Sequence, residues 1–331
     1  MKRKRILSGM QPTGTLHLGN LEGALRNWVR LQDQCEMYCC IVDWHALTTL
    51  YNRTDQIAES RRILVAEYVA AGLDPQKCAI FLQSDVKEHA ELHLLLSMIT
   101  PLGWLERVPT YKEKKENLNL EPEAISYGFL GYPVLQAADI LVYRANAVPV
   151  GKDQAAHLEL TREIARRFNH LYGEVFPEPQ SLIPEETAVV PGLDGRKMSK
   201  SYGNAITLAD DADTIAAKVQ SAFTTPTKIR KTDPGDPENC VVCRLRRIYD
   251  PNHFQISWEE CRTGVRGCVQ SKRELTELLN AVLEPIRKRR TELLSDPTEL
   301  DKILSNGAER ARATAAETMK VVREAMGIST A

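Results

Sequence analysis

The sequence contains no apolar run near the roughly 18–20 residues that a membrane-crossing helix needs, which argues against a helical membrane protein. The N-terminus MKRKRIL is basic, but Ser8, Gly9, Gln11 and Pro12 follow at once, so the apolar segment of a secretory signal is missing as well. Neither sign of charge is in excess: 43 Lys+Arg stand against 44 Asp+Glu, a net charge of −1, and a uniformly basic nucleic-acid binder is excluded. Internal repeats and low-complexity tracts are absent, which removes solenoids and disordered tails. What is left is an ordinary globular composition, 43% hydrophobic and 26% charged over 331 residues. At about 100–200 residues per domain, two domains are expected, in a soluble, cytoplasmic protein.

The first two hundred residues alternate short apolar runs with helical patterns. Arg5–Ser8 reads as a strand, ended by Gly9, Pro12 and Gly14. Leu18, Leu21, Leu25, Trp28 and Val29 then fall on one helical face. Met37–Val42 and Cys78–Leu82 are continuous apolar runs suited to strands covered on both faces, with a helix over Thr54–Ala71 between them. The order β-α-β-α-β points to an α/β fold with a Rossmann-like, doubly wound parallel sheet. Leu102–Glu123, rich in Lys and Glu, reads as an insertion over the core. Gly131–Tyr143 and Ala147–Val150 read as a return of the sheet pattern, His157–Phe168 as helix and Pro177–Pro191 as a connection. Beyond about residue 205 strands give way to helices at 212–223, 275–294 and 298–326. The expected division is an α/β part, 1–205, and an α-helical part, 206–331.

Two segments carry polyphosphate chemistry. In Ser8-Gly9-Met10-Gln11-Pro12-Thr13-Gly14-Thr15-Leu16-His17-Leu18-Gly19-Asn20 a strand ends in a Gly/Pro turn and a helix begins near His17. A helix N-terminus offers free N–H groups and partial positive charge, while His17 and Asn20 add hydrogen-bond donors. Taken alone, this is equally a tight strand-to-helix turn with an incidental histidine. The second segment is Lys197-Met198-Ser199-Lys200-Ser201, two lysines three apart after the loop Pro191-Gly192-Leu193-Asp194-Gly195, which suits a closable clamp for phosphate charge and, as a bare Lys-x-x-Lys, equally a solvated surface loop. A third feature is Asp139, a carboxylate inside the apolar run Val134–Leu141, where it must be paired, as a capping Asp or in a salt bridge to Arg144, or face a ligand.

His17-Leu18-Gly19-Asn20 resembles the first signature of class I aminoacyl-tRNA synthetases, usually His-Ile-Gly-His, and Lys197–Ser201 matches their second signature without a change. Within that class, Gly9–Gly14 and Gly151-Lys152-Asp153-Gln154 resemble the tryptophanyl/tyrosyl pair. Ala137–Leu141 and His157–Arg162 resemble the bacterial tryptophanyl enzymes, and the similarity runs from about residue 4 to residue 328. The resemblance implies activation of L-tryptophan by ATP with Mg²⁺, transfer to tRNA(Trp), and a homodimer with the insertion near its interface. It assigns phosphate contacts to His17, Asn20, Lys197 and Lys200. ATP contacts fall on Gln11, Pro12, Thr13, Gly19, Asn20, Lys114, Gly151, Lys152, Asp153, Val190, Met198, Ser199 and Ser201. Asp139 becomes the acceptor of the indole N–H, beside Tyr132, Gln154 and Tyr127 or Gln136. Leu7 stands where many relatives carry an aromatic residue, so that pocket wall is expected to be aliphatic. Tyrosyl-tRNA synthetase, another nucleotidylyltransferase and a non-catalytic paralogue are the alternatives.

Cys240, Cys243, Cys261 and Cys268 form a separate group, while Cys35, Cys39, Cys40 and Cys78 sit in apolar surroundings as small buried hydrophobes. Four thiolates suit tetrahedral zinc or an iron–sulfur cluster. Some bacterial tryptophanyl enzymes carry a [4Fe–4S] site in this region, but their last cysteine falls where this chain has Ser271. The C-terminal part carries Arg287-Lys288-Arg289-Arg290, read as a basic stripe suited to phosphate contacts.

Overall fold

The structure, a computed structural model, describes residues 3–109, 126–149, 151, 155–182 and 189–329. Five parallel strands, β1 (Arg5–Met10), β2 (Glu36–Ile41), β3 (Cys78–Leu82), β4 (Ala147–Pro149) and β5 (Gln180–Leu182), form one sheet in the order β3-β2-β1-β4-β5. Strand order reverses between β1 and β4. In a doubly wound sheet the crevice outside the carboxyl ends of the strands at that point is where ligands bind.

Alternate residues of each strand feed two cores. Ile6, Met37, Cys39, Ile41, Cys78 and Ile80 pack on one face with Leu21, Leu25, Trp28, Leu64 and Tyr68. Leu7, Tyr38, Cys40, Ala79 and Phe81 pack on the other with Leu141, Ile164 and Phe168. The period of two and the cover on both faces explain why these strands read as unbroken apolar runs. Helices of the C-terminal part enter both cores. Leu275, Leu279 and Leu283 of the helix Cys268–Ser295 join the first, and Ala311, Ala315 and Met319 of the helix Pro297–Ala325 join the second. The latter helix crosses the β3 edge at Gly307, where a Cβ would lie 1.9 Å from the Ile80 carbonyl oxygen, and it thereby closes an edge otherwise open to pairing.

One expected strand is a helix. Gly131–Tyr143 belongs to the helix Tyr127–Val142, capped by the Ser126 hydroxyl on the Phe129 N–H and continuing through Pro133. A continuous apolar run has no period to separate a buried helix from a buried strand, and its length, too great for a short strand, was the better guide. Of the expected return Ala147–Val150, Ala147–Pro149 is a strand and Val150 lies outside the described residues. β5 lies inside the Pro/Glu-rich stretch read as a connection, and the helices Val241–Tyr249 and Phe254–Arg262 were not expected. The opening helix runs from Leu18–Asn20 through a π-helical turn, Leu21–Leu25, into Arg26–Leu31. The Leu102–Glu123 insertion begins as the short helix Leu102–Glu106, and its stretch 110–123, with Lys114, lies outside the described residues.

Candidate active site

At the switch point lies a cavity of about 470 Å³, walled by Leu7–Gln11 at the end of β1, Val148, Pro149 and Gly151 after β4, and Tyr132, Gln136, Asp139 and Ile140 of the helix Tyr127–Val142. Leu7 gives it the expected aliphatic wall. Tyr132 Oη lies 2.6 Å from His157 Nε2, and both residues line the cavity. Asp139 is 2% exposed. Burial alone would raise its pKa, but hydrogen bonds from His45 and His89 outweigh it and hold the carboxyl down at about 2, so an anion faces the cavity at neutral pH. The alternative partner suggested by sequence, Arg144, does not pair with it: the partners are His45, His89 and Gln83.

The His17 segment is fixed from two sides. Its backbone bonds to the stretch just after the lysine loop, Leu18 N–H to the Ile206 carbonyl at 3.0 Å and Leu208 N–H to that of Leu16 at 2.8 Å. From the other side, buried Glu67 Oε2 accepts the Leu16 N–H at 2.7 Å. Asn20 Oδ1 accepts the His17 N–H at 3.0 Å, closing the first helical turn, and Gly19 is needed there because a Cβ would lie 2.8 Å from the His17 ring. Burial, and then the positive charges of Lys200 and Lys197, push the His17 pKa down to about 4. The imidazole is therefore neutral at pH 7 and carries one N–H rather than a positive charge.

The lysine loop is folded onto this segment. Lys200 Nζ donates to the Thr13 carbonyl at 2.9 Å, with Thr13 Oγ1 at 3.3 Å. Burial lowers the Lys200 pKa against the opposing charge of Glu67. Asn204 organises the loop: its Oδ1 accepts the Ser199 N–H at 2.8 Å, and its Nδ2 donates to Asp194 Oδ1 at 2.7 Å and to the Lys197 carbonyl at 3.2 Å. Gly192 makes room, since a Cβ there would lie 2.1 Å from Asn204 Nδ2. Val190 and Met198 are buried in the core beneath the loop, while Gln11 stands exposed at the cavity mouth and Pro12 is buried. Lys152, Asp153 and Gln154 lie outside the described residues. Glu67, Asn204, His45, Gln83 and His89 were not singled out by sequence. No local motif marks them, because each acts through a partner distant in the chain.

Residues 1–284 match the family described as tRNA synthetases class I (W and Y). The chain belongs to that family. Among the relatives of this class I synthetase, a tryptophan–tRNA ligase of Thermotoga maritima is 49% identical over 98% of this chain and 99% of its own length. The ligase of Aquifex aeolicus is 43% identical over 98% and 100%. The solved tryptophanyl-tRNA synthetase of Campylobacter jejuni, complexed with ADP and tryptophan, superposes with a TM-score of 0.88 at 39% identity, covering 98% of this chain and 99% of that one.

Away from this site, Cys240, Cys243, Cys261 and Cys268 line one small cavity with Ser271, holding about 10 Å³ of free space. Cys243 shares hydrogen bonds with Cys240 and Cys261, which lower those two thiols to about 6 and about 7 while Cys243 itself is raised. Among the described residues no group of three or more His, Cys, Asp or Glu side chains is arranged to hold a metal ion. The expected basic stripe is largely engaged within the protein. Arg287 bonds the Asp210 carbonyl and Asn280, Arg289 pairs with Glu292 and Glu299, and Arg290 Nε reaches Glu67 Oε1 at 2.9 Å. Its periodicity is that of a helix packed on the α/β part, so the charges point to different neighbours instead of forming one face.

Proposed function

We propose that this synthetase is a cytoplasmic tryptophan–tRNA ligase, which condenses L-tryptophan with ATP to tryptophanyl-adenylate and pyrophosphate and then esterifies tRNA(Trp). The observation that carries this reading is the 2.9 Å bond from Lys200 Nζ to the Thr13 carbonyl, which closes both signature segments over one end of a crevice containing a buried, ionised Asp139. Tryptophan occupies the crevice with its ring against Leu7 and its N–H toward Asp139, beside Tyr132, Gln136 and Gln154. ATP lies along Gln11–Thr13, Gly19, Asn20 and Gly151, with Lys152, Asp153 and Lys114 completing the site. Ser199 and Ser201 face the nucleotide from the loop, while Val190 and Met198 hold the loop to the core.

The tryptophan carboxylate is a nucleophile without a base. Its oxygen attacks the α-phosphorus, the bond to the β-phosphate breaks, and pyrophosphate leaves with the charge. Neutral His17, Asn20, Lys197 and Lys200 stabilise that charge, and Mg²⁺ arrives with ATP to neutralise its phosphates. A ribose hydroxyl of the tRNA then attacks the adenylate carbonyl, AMP leaves, and the hydroxyl proton is lost to solvent. The helical part, 206–331, is the tRNA-binding side, and its best-placed basic surface is the cavity of about 470 Å³ lined by Arg230, Lys231 and Arg273, beside Lys228, which the Lys231 and Asp233 carbonyls engage.

The four-cysteine cavity takes no part in this sequence of steps. Its donor set has the softness that zinc or iron–sulfur sites use, but among the described residues no three such side chains are arranged to hold a metal ion as they stand. Iron, sulfide and zinc analysis of anaerobically purified protein decides among a cluster, a single zinc ion and free thiols.

Tryptophan-dependent ATP–pyrophosphate exchange tests the activity, with tyrosine as the substrate that must fail. Lys200→Ala lowers kcat for exchange by about 100-fold or more while the Kd for tryptophan stays within about twofold, as expected of a group that meets only the phosphates. Near-normal exchange by that variant would remove the lysine loop from the mechanism.

A further inference from the structure

An ionised carboxylate buried beside a substrate cavity is useful for recognition only if it is held in one orientation. The Asp139 carboxylate accepts from three side chains. Gln83 Nε2 spans both oxygens, at 2.8 Å from Oδ1 and 2.9 Å from Oδ2. His89 Nδ1 lies 2.6 Å from Oδ1, and His45 Nε2 lies 2.8 Å from Oδ2. The three are not equivalent. His45 lines the cavity with Asp139, whereas Gln83 and His89 are fully buried behind it. The back of the carboxylate is therefore permanently occupied, and the Oδ2 edge toward the cavity is covered by a side chain that a substrate N–H can replace.

His89 is itself locked. Its Nε2 lies 2.6 Å from Tyr143 Oη, and burial raises the Tyr143 phenol so far that it keeps its proton. An ionised Asp139 can only accept, so a ring proton of His89 sits on Nδ1, pointed at Asp139, while Nε2 meets the Tyr143 hydroxyl. Tyr143 stacks on Tyr38 at 4.3 Å and 20°, and the Tyr38 hydroxyl meets Glu36 Oε1 at 2.6 Å and Thr314 Oγ1 at 2.8 Å. The Tyr143 ring is thus held against the sheet by Tyr38 and Phe81, and Tyr38 is itself tied to the C-terminal helix.

We propose that His89, with Gln83, is a positioning residue for amino-acid specificity: it holds the Asp139 carboxylate in one plane so that the Oδ2 edge meets the ring N–H of the substrate. The inference rests on the reading of Asp139 as the acceptor of that N–H. Losing a charge-assisted hydrogen bond behind the acceptor lets the carboxylate rotate, and the geometry of the bond in front is lost with it.

The test compares pyrophosphate exchange with tryptophan and with the analogue whose ring N–H is replaced by sulfur, β-(3-benzothienyl)alanine, in the full-length enzyme. His89→Leu narrows the preference for tryptophan about tenfold, through a higher KM for tryptophan and an unchanged KM for the analogue. His89→Asn, which keeps a donor near the Nδ1 position, restores most of the preference. Should His89→Leu not fold, Gln83→Met carries the same expectation. Equal rises in both KM values, or a preference that survives His89→Leu and Gln83→Met while Asp139→Asn abolishes it, would overturn the proposal. A preference unchanged in Asp139→Asn defeats the reading of Asp139, and this inference with it, and is distinguishable because in the first kind of failure Asp139→Asn still responds.

Discussion

Asn204 makes three hydrogen bonds inside the lysine loop, to Ser199, Asp194 and the Lys197 carbonyl, and is 3% exposed. Those bonds fix where the backbone turns between Lys197 and Lys200, and so how the two ammonium groups are presented. Asn204→Ala leaves their partners unmet, and kcat for pyrophosphate exchange falls about tenfold or more with the Kd for tryptophan unchanged. An unchanged kcat in a folded variant would reduce Asn204 to a structural role. The residues that touch phosphate in the proposed reaction were legible in sequence because their chemistry is local: a turn, a helix start and two lysines on one loop. Asn204, Glu67 and His89 were not, because a lone polar residue shows its purpose only when its partner is brought to it from far along the chain.

The same contrast holds for elements. β1, β2 and β3 were visible because strands covered on both faces are compact apolar runs bounded by turns, and the long amphipathic C-terminal helices because their period is unmistakable. The helix Tyr127–Val142 reads as a strand in its Gly131–Tyr143 stretch because it is apolar on nearly all sides, and β5 is too short and too polar to be seen. The helix Cys268–Ser295 hides another property: Arg290 reaches across to Glu67, whose other oxygen holds the Leu16 N–H beside His17. Burial lifts the Glu67 pKa to about 7, against the lowering pull of the Leu16 N–H and Arg290. A folded-state pKa above the unfolded one means that the folded protein binds the proton more tightly. The stability contributed by this group is therefore complete below about 4.5 and lost as pH rises through about 7. Thermal melts of Glu67→Gln between pH 5 and 8 should show a shallower fall with pH than the parent enzyme, and parallel curves would contradict the assignment.

At the scale of the whole molecule, large apolar side chains stand exposed on the segments that border the site. Tyr51, Leu94, Met98, Leu102 and Tyr127 are all exposed, and Tyr51 and Tyr127 line a cavity of about 320 Å³ with Trp44, Leu47, Gly131 and Leu135. Aromatic and aliphatic side chains grouped in this way are the mark of an interaction face. The insertion begins at Leu102, and the family resemblance puts a homodimer interface near it, so a second copy of the chain is the expected occupant of this face. Thr48 and Tyr132 line both this cavity and the one at the switch point, so a second subunit seated here would restrain two walls of the pocket proposed for tryptophan. The expected particle in light scattering has twice the 37.2 kDa of one chain. Placing charge on the face, with Met98→Glu and Leu102→Glu together, should halve that mass and raise the KM for tryptophan, because the walls are then free to move. A parent enzyme that is monomeric at micromolar concentration would rule out the interface, whereas a monomeric double variant with an unchanged KM would keep the dimer but deny its link to the pocket.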